Sequence, residues 1–236
     1  MSNRLKQIAL GHVQLFDNWP PGLSADSNRA FRGGGGVFSS LLPYLENPGP
    51  LPTPNGLAIK FYMSPSDPSF AAFTNNDGNC SFAVNARLYL GSGRIEDITD
   101  GTSNTIAFSE RYARCRRQGV SWSVGQVICR NGITGQPVLC GADDDRRANF
   151  ADDTFTHILP LTAGLPPTTI ASVPGWTFQS NPIPTECDGW VVQSSLPGGL
   201  LVALADGSVR KISPGIAETV FWAAVTPNAG EVAHLE

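Results

Sequence analysis

Charge is the first thing this sequence is short of. Only 15 % of its 236 residues are Asp, Glu, Lys or Arg, against about a quarter in an average soluble domain. The charges sum to −4, which argues against a general nucleic-acid binder, since that class carries a basic face. No two of the Cys form a CxxC pair, and the three His, at 12, 157 and 234, are scattered, so neither residue type makes a zinc set. No run of about 18 apolar residues occurs, so nothing in these residues reads as a membrane span, and no signal peptide is visible. GxSxG, HExxH and P-loop patterns are all missing, and Gly33–Gly36 is not followed by GK[ST]. Without such a constellation, enzyme activity is not the expectation.

What the chain has instead is Gly (25), Pro (19) and 41 % hydrophobic residues. Turn formers with few charges describe a loop-rich, β-containing domain rather than a helical bundle. No linker forces a division, so residues 1–236 read as one domain. The five Cys (80, 115, 129, 140 and 187) are odd in number, which leaves at least one thiol free or paired between chains. Cys129 and Cys140 are the easiest local disulfide, although spacing does not fix connectivity.

Leu5, Ile8, Ala9, His12, Val13 and Phe16 recur at spacings of three and four and predict a helix ending before Trp19-Pro20-Pro21-Gly22. Val37–Glu46 predicts a second, short helix around Pro43. Ile59–Tyr62, Ser81–Leu90, Asn104–Ser109 and, in part, Val120–Cys129 read as strands. From Gly141 to Thr185 the pattern fades into a long insertion. Leu200–Ala205 is apolar throughout, as in a strand buried on both faces. Asp206-Gly207 is a hairpin-turn signal, with Ser208–Ile212 as the returning strand. Ser213-Pro214 has the chemistry of a helix cap and first residue, and Thr226-Pro227 ends that helix. The expected fold is α+β: an N-terminal helix on an antiparallel sheet, a loop-rich insertion over 111–190, and a C-terminal helix.

Candidate site residues fall into four groups. Asp143, Asp144, Asp145, Asp152 and Asp153 form the densest acidic stretch, a set of hard oxygen ligands suited to calcium but lacking EF-hand spacing. Trp176 and Trp190, beside Gly and Pro, are the candidates for stacking against a glycan or other ligand. Asp100, Gly101 and Asn104, like Asp206 and Gly207, read as turn-fixing residues whose side chains bond to backbone. Arg111, Arg114, Arg116 and Arg117 are the basic cluster, read as a solvated face.

Several segments taken together resemble a known family. SNRLKQIALGHVQLFDNWPPG, LLPYLE, MSPSDPS, DITDGTSNTIAFSER, PGGLLVALADGSVRKI and TVFWAAVTPNAGEV occur in the order seen in planctomycete-type prepilin-like proteins of unknown function. Two positions depart from that pattern: Leu196 stands where the family has His before Pro-Gly-Gly, and Ser64 stands where it has Cys. The resemblance implies a pilin-like head whose residues 1–18 continue a hydrophobic helix of a longer native protein with a cleaved leader. It implies export to the periplasm or cell surface, membrane attachment through that N-terminal segment, and other pilin-like subunits as partners, with the head alone monomeric. No cofactor is expected beyond the calcium that some pseudopilin heads hold. The function it implies is a structural subunit of a surface filament or secretion system. The alternative is a membrane-anchored surface protein that binds a glycan or solute.

Overall fold

The computed structural model describes residues 2–17, 36–45, 59–70, 78–89, 95–116, 118–122, 129–130, 137–138, 146–151, 177–188, 191–230 and 235. Helix α1 (Ser2–Asp17) is followed by α2 (Gly36–Leu41) and a 3-10 turn at Leu42–Tyr44. The first strands are β1 (Phe82–Asn85), β2 (Ile106–Glu110), β3 (Arg114–Cys115) and β4 (Gln118–Ser121). Short strands β5 (Cys129–Arg130), β6 (Pro137–Val138), β7 (Arg146–Arg147) and β8 (Asn149–Phe150) come next. The chain closes with β9 (Phe178–Ser180), β10 (Val192–Ser194), β11 (Leu200–Leu204), β12 (Val209–Ile212) and α3 (Glu218–Val225).

The centre is a five-stranded sheet in the order β12-β11-β2-β1-β8. Its β12-β11-β2-β1 pairs are antiparallel, but β8 joins β1 in parallel through Val84↔Asn149 and Asn85↔Phe150. The sheet is therefore mixed rather than purely antiparallel. Strand alternation divides β11 between two cores. Ala203 and Ala205 face the core that holds Leu5, Ile8, Ala9 and Leu15 of α1. Leu200, Val202 and Leu204 face the core that holds Phe221, Ala224 and Val225 of α3. An apolar run without polar alternation is what a strand covered by helices on both faces requires.

The β11–β12 hairpin fixes α1 in place. Gly207 adopts φ +84°, Ser208 N–H donates to Asp206 Oδ1 at 2.8 Å, and Lys6 Nζ of α1 donates to the Gly207 carbonyl at 2.7 Å. A side chain at Gly207 would touch Leu10 and Val13 at 3.4 Å. At the other end of the hairpin, Gly199 has φ +122°, and a Cβ there would lie 2.2 Å from the Ile212 carbonyl oxygen. The second glycine of Pro-Gly-Gly is thus needed for the close approach of two backbones. At its N-terminal end α1 is held by Arg4, whose guanidinium donates to the carbonyls of Lys60 and Met63.

Several expected elements change. Residues 59–62 are not a strand: Lys60–Tyr62 forms a 3-10 turn. The ring of Tyr62 packs edge-on against Phe38, 4.9 Å between centroids, and its hydroxyl donates to the Phe38 carbonyl. The expected strand at 81–90 ends at Asn85, whose side-chain NH₂ donates to the Ile106 and Val225 carbonyls, both at 2.7 Å, and the chain turns into a 3-10 segment at Ala86–Tyr89. Of the expected strand at Val120–Cys129, Val120 and Ser121 belong to β4 and Cys129 to β5, and residues 123–128 lie outside the described residues. The second helix has only the six residues of α2, and the chain passes into the 3-10 turn at Pro43 because proline offers no donor to continue the ladder. Ser213-Pro214 does not open the last helix. It forms a turn, with Ile216 N–H on the Ser213 carbonyl at 3.1 Å, and α3 starts after Ala217.

Candidate functional site

The C-terminal end of β2 enters a knot of buried polar side chains. Asp67 sits in the proline-bounded turn Ser64–Phe70 and is 4 % exposed. Its Oδ1 accepts the Ser69 N–H (2.9 Å) and hydroxyl (2.6 Å), and its Oδ2 accepts the Ser81 hydroxyl (2.8 Å) and Ala113 N–H (2.7 Å). Four donors on one carboxylate tie this turn to β1 and to the exit of β2. Burial pushes the Asp67 carboxyl up, and these donors pull it back down. Arg111, 2 % exposed, donates to the Asn149 carbonyl at 2.8 Å. The buried thiol of Cys80, raised chiefly by burial, feels the opposing fields of Arg111 and Asp67. Tyr112 donates its N–H to Gln193 Oε1 and its hydroxyl to the Pro182 carbonyl, with its phenol pushed up to about 12 chiefly by burial.

Glu110 faces the other way, toward β11. Its Oε1 accepts the Leu201 N–H at 2.9 Å. Burial pushes its carboxyl up to about 7, opposed by the Leu201 and Ser195 N–H groups and the Ser195 hydroxyl, with the charge of Asp67 acting upward. The adjoining loop, residues 195–199, is closed by the Ser194 hydroxyl, which reaches the carbonyls of Leu196 and Gly199. Glu110 is thus a buried acid able to hold or release a proton near neutral pH, whereas the lone pairs of Asp67 are occupied by fixed donors.

At the opposite end of β2, Asp100 joins the strand entry to the C-terminal tail. Its carboxylate accepts the N–H groups of Ala229 and Gly230, each at 2.9 Å. Asn104 Nδ2 donates to the Asp100 carbonyl at 3.0 Å, and Gly101 has φ +96°. Asp206 N–H donates to the Thr102 carbonyl at 3.0 Å, so the two Asp-Gly turns stand side by side.

A third feature is the Cys115–Cys187 disulfide, which closes a 72-residue separation. It fastens the segment 177–188 against β3, assisted by Arg116 N–H on the Pro184 carbonyl at 2.7 Å. The bond that the structure shows is therefore a long-range one. Cys129 lies in β5 with its side chain outside the described residues, and Cys140 is outside them altogether. Cys80 is a free thiol.

Asp143, Asp144, Asp145, Asp152 and Asp153 lie outside the described residues, as do Trp176, Trp190, His157 and His234. Among the residues that are described, no group of three or more His, Cys, Asp or Glu is arranged to hold a metal. His12 is 1 % exposed, edge-on to Phe108 at 4.9 Å, and burial pulls its ring down to about 3. The basic cluster is not a single solvated face: Arg116 is exposed, Arg114 half-buried, and Arg111 is inside the polar knot. Sequence reasoning missed Asp67 and Glu110. The available signal was an acid flanked by Ser and Pro in MSPSDPS, and an acid ending the apolar strand IAFSE.

No helix of the described residues is long and apolar enough to cross a membrane. Residues 52–219 match the family model described as Protein of unknown function (DUF1559), a span that takes in every strand from β1 to β12 and leaves α1 outside. No curated protein and no solved structure matches the chain.

Proposed function

The chain belongs to the DUF1559 family of proteins of unknown function, and from that premise we propose that it is the head of an exported pilin-like protein, a structural subunit of a surface filament or secretion system. The observation that carries this reading is the placement of α1. It is an amphipathic helix laid along one face of a largely antiparallel sheet, with Leu5, Ile8, Ala9 and Leu15 buried and Leu10 left 46 % exposed. A helix bonded to the head near its N-terminal end through Arg4 and Lys6, and packed on the sheet through Leu5, Ile8, Ala9 and Leu15, can pass load from an assembled core to the domain it carries. In this reading the determinants of export and assembly lie N-terminal to Ser2, and the head displays its outer loops. Neither metal nor cofactor is needed for such a role.

The test is to express the full-length native gene product in a host with a prepilin peptidase and read the processed N-terminus by mass spectrometry. Cleavage immediately before a hydrophobic helix continuous with α1 is the expected result. An ordinary signal-peptidase cleavage, or a native chain starting at Met1, would sink the assembly reading and favour a free or lipid-anchored binding protein.

A further inference from the structure

Glu110 is 1 % exposed, and its Oε2 has no hydrogen-bond partner within bonding geometry. Ser195, 5 % exposed, has an Oγ in the same condition, and its hydroxyl faces the Glu110 carboxyl. Two buried polar atoms without partners, facing each other, are costly unless one proton serves both. The hydroxyl can donate to either form of the acid, so charge decides which form is present. Asp67, also raised by burial, has four donors on its two oxygens that favour its carboxylate form. Tyr112 and the Cys80 thiol, the other titratable groups of the knot, are held neutral by burial. From the β10–β11 side the group meets Ser195 and the Leu201 N–H. Of the two buried acids, Glu110 has the fewer donors and an Oε2 with none, so a proton is better placed on Glu110 than on Asp67.

We propose that Glu110 is a proton-operated latch for the 195–199 loop. Protonated, it bridges β2, the Leu201 N–H and the Ser195 hydroxyl, and the loop is clipped to the sheet. Ionised, with its proton released to bulk water, it becomes a second buried negative charge, repelled by that of Asp67. That charge is relieved when water reaches the carboxylate. The cover that moves is Ser195–Gly198, whose Leu196, Pro197 and Gly198 are already exposed, while Gly199 stays pinned against β12. Opening enlarges an apolar crest centred on Leu196, 51 % exposed in the closed form. This device does not depend on the assembly reading.

The test is amide hydrogen exchange at Ser195 and Leu201 from about pH 5 to pH 9 in the wild-type chain and in Glu110→Gln, whose amide keeps the neutral geometry. After division by the intrinsic rate, wild-type protection at Ser195 should fall by up to about tenfold per pH unit above the midpoint, while Leu201, beyond the pinned Gly199, and both amides of the variant stay level. The two proteins tracking each other would overturn the proposal. Should the variant fail to fold, the carboxyl ¹³C shift of Glu110 in the wild type decides. A midpoint near neutral supports the latch, and one near the ordinary glutamate value of about 4.3 rejects it.

Discussion

His12 and Glu110 are buried ionisable residues whose effects on stability run in opposite directions. The ring of His12 is pulled from 6.5 to about 3 by burial, so its neutral form contributes stability that is complete above pH 6.5 and is lost as pH falls toward about 3. Glu110 is pushed from 4.5 to about 7, so its contribution is complete below pH 4.5 and is lost as pH rises through about 7. Asp67, also raised, acts in the same sense as Glu110. Between 4.5 and 6.5 the His12 and Glu110 slopes oppose each other. We expect the wild-type urea midpoint to be nearly level across that window. Glu110→Gln should lose stability on acidification and His12→Leu should gain it, each by up to about 1.4 kcal/mol per pH unit for one proton. Variants that keep the wild-type slope would show that neither group governs the pH response.

At the scale of the element, α1 carries the clearest division between buried and solvent-facing positions. Ile8 is fully buried in the core that also holds Phe108 of β2 and Ala203 of β11, so Ile8→Ala should cost about 2–4 kcal/mol in chemical denaturation, from lost transfer energy and the cavity left behind. Leu10, two residues on, is 46 % exposed, and Leu10→Ala should change stability by no more than about 0.5 kcal/mol. A large loss at Leu10 would mean that this side of α1 is covered in solution. The helical spacing of α1 was legible because its inward positions repeat over four turns. Lys60–Tyr62 was not, because three residues with strand-like composition carry no period. Arg4 and the demand of the Tyr62 hydroxyl for a buried acceptor settle the matter there. Ser213-Pro214 was likewise ambiguous, since the same pair that opens a helix also opens a turn.

Across the whole molecule, the Cys115–Cys187 bond joins parts far apart in the chain. Closing a 72-residue separation removes unfolded-chain entropy worth roughly 4 kcal/mol in the loop-closure account. Cys115→Ser should therefore lower stability by an amount of that order, and reductant should lower the wild type to match it. Both sulfurs are in residues 2 % exposed or less, so reduction of the native protein should be slow and should speed up in mild denaturant. An unchanged unfolding midpoint with and without reductant would argue that the bond does not constrain the unfolded chain.

By itself the sequence determined the α+β class, the helix at one end, the doubly covered strand Leu200–Leu204 and the two Asp-Gly turns. Each depends on local chemistry: a hydrophobic period, a run without polar alternation, or a glycine where the backbone needs positive φ. Only the tertiary structure decided that β8 lies parallel to β1, that Cys115 meets Cys187, and that Asp67, Ser81, Arg111 and Glu110 converge at one end of β2. Those pairings join segments tens of residues apart, and no local pattern encodes them. An acid in a Ser-Pro loop looks solvated in sequence. Folding removes it from water, and its burial and its donors then determine where its proton goes.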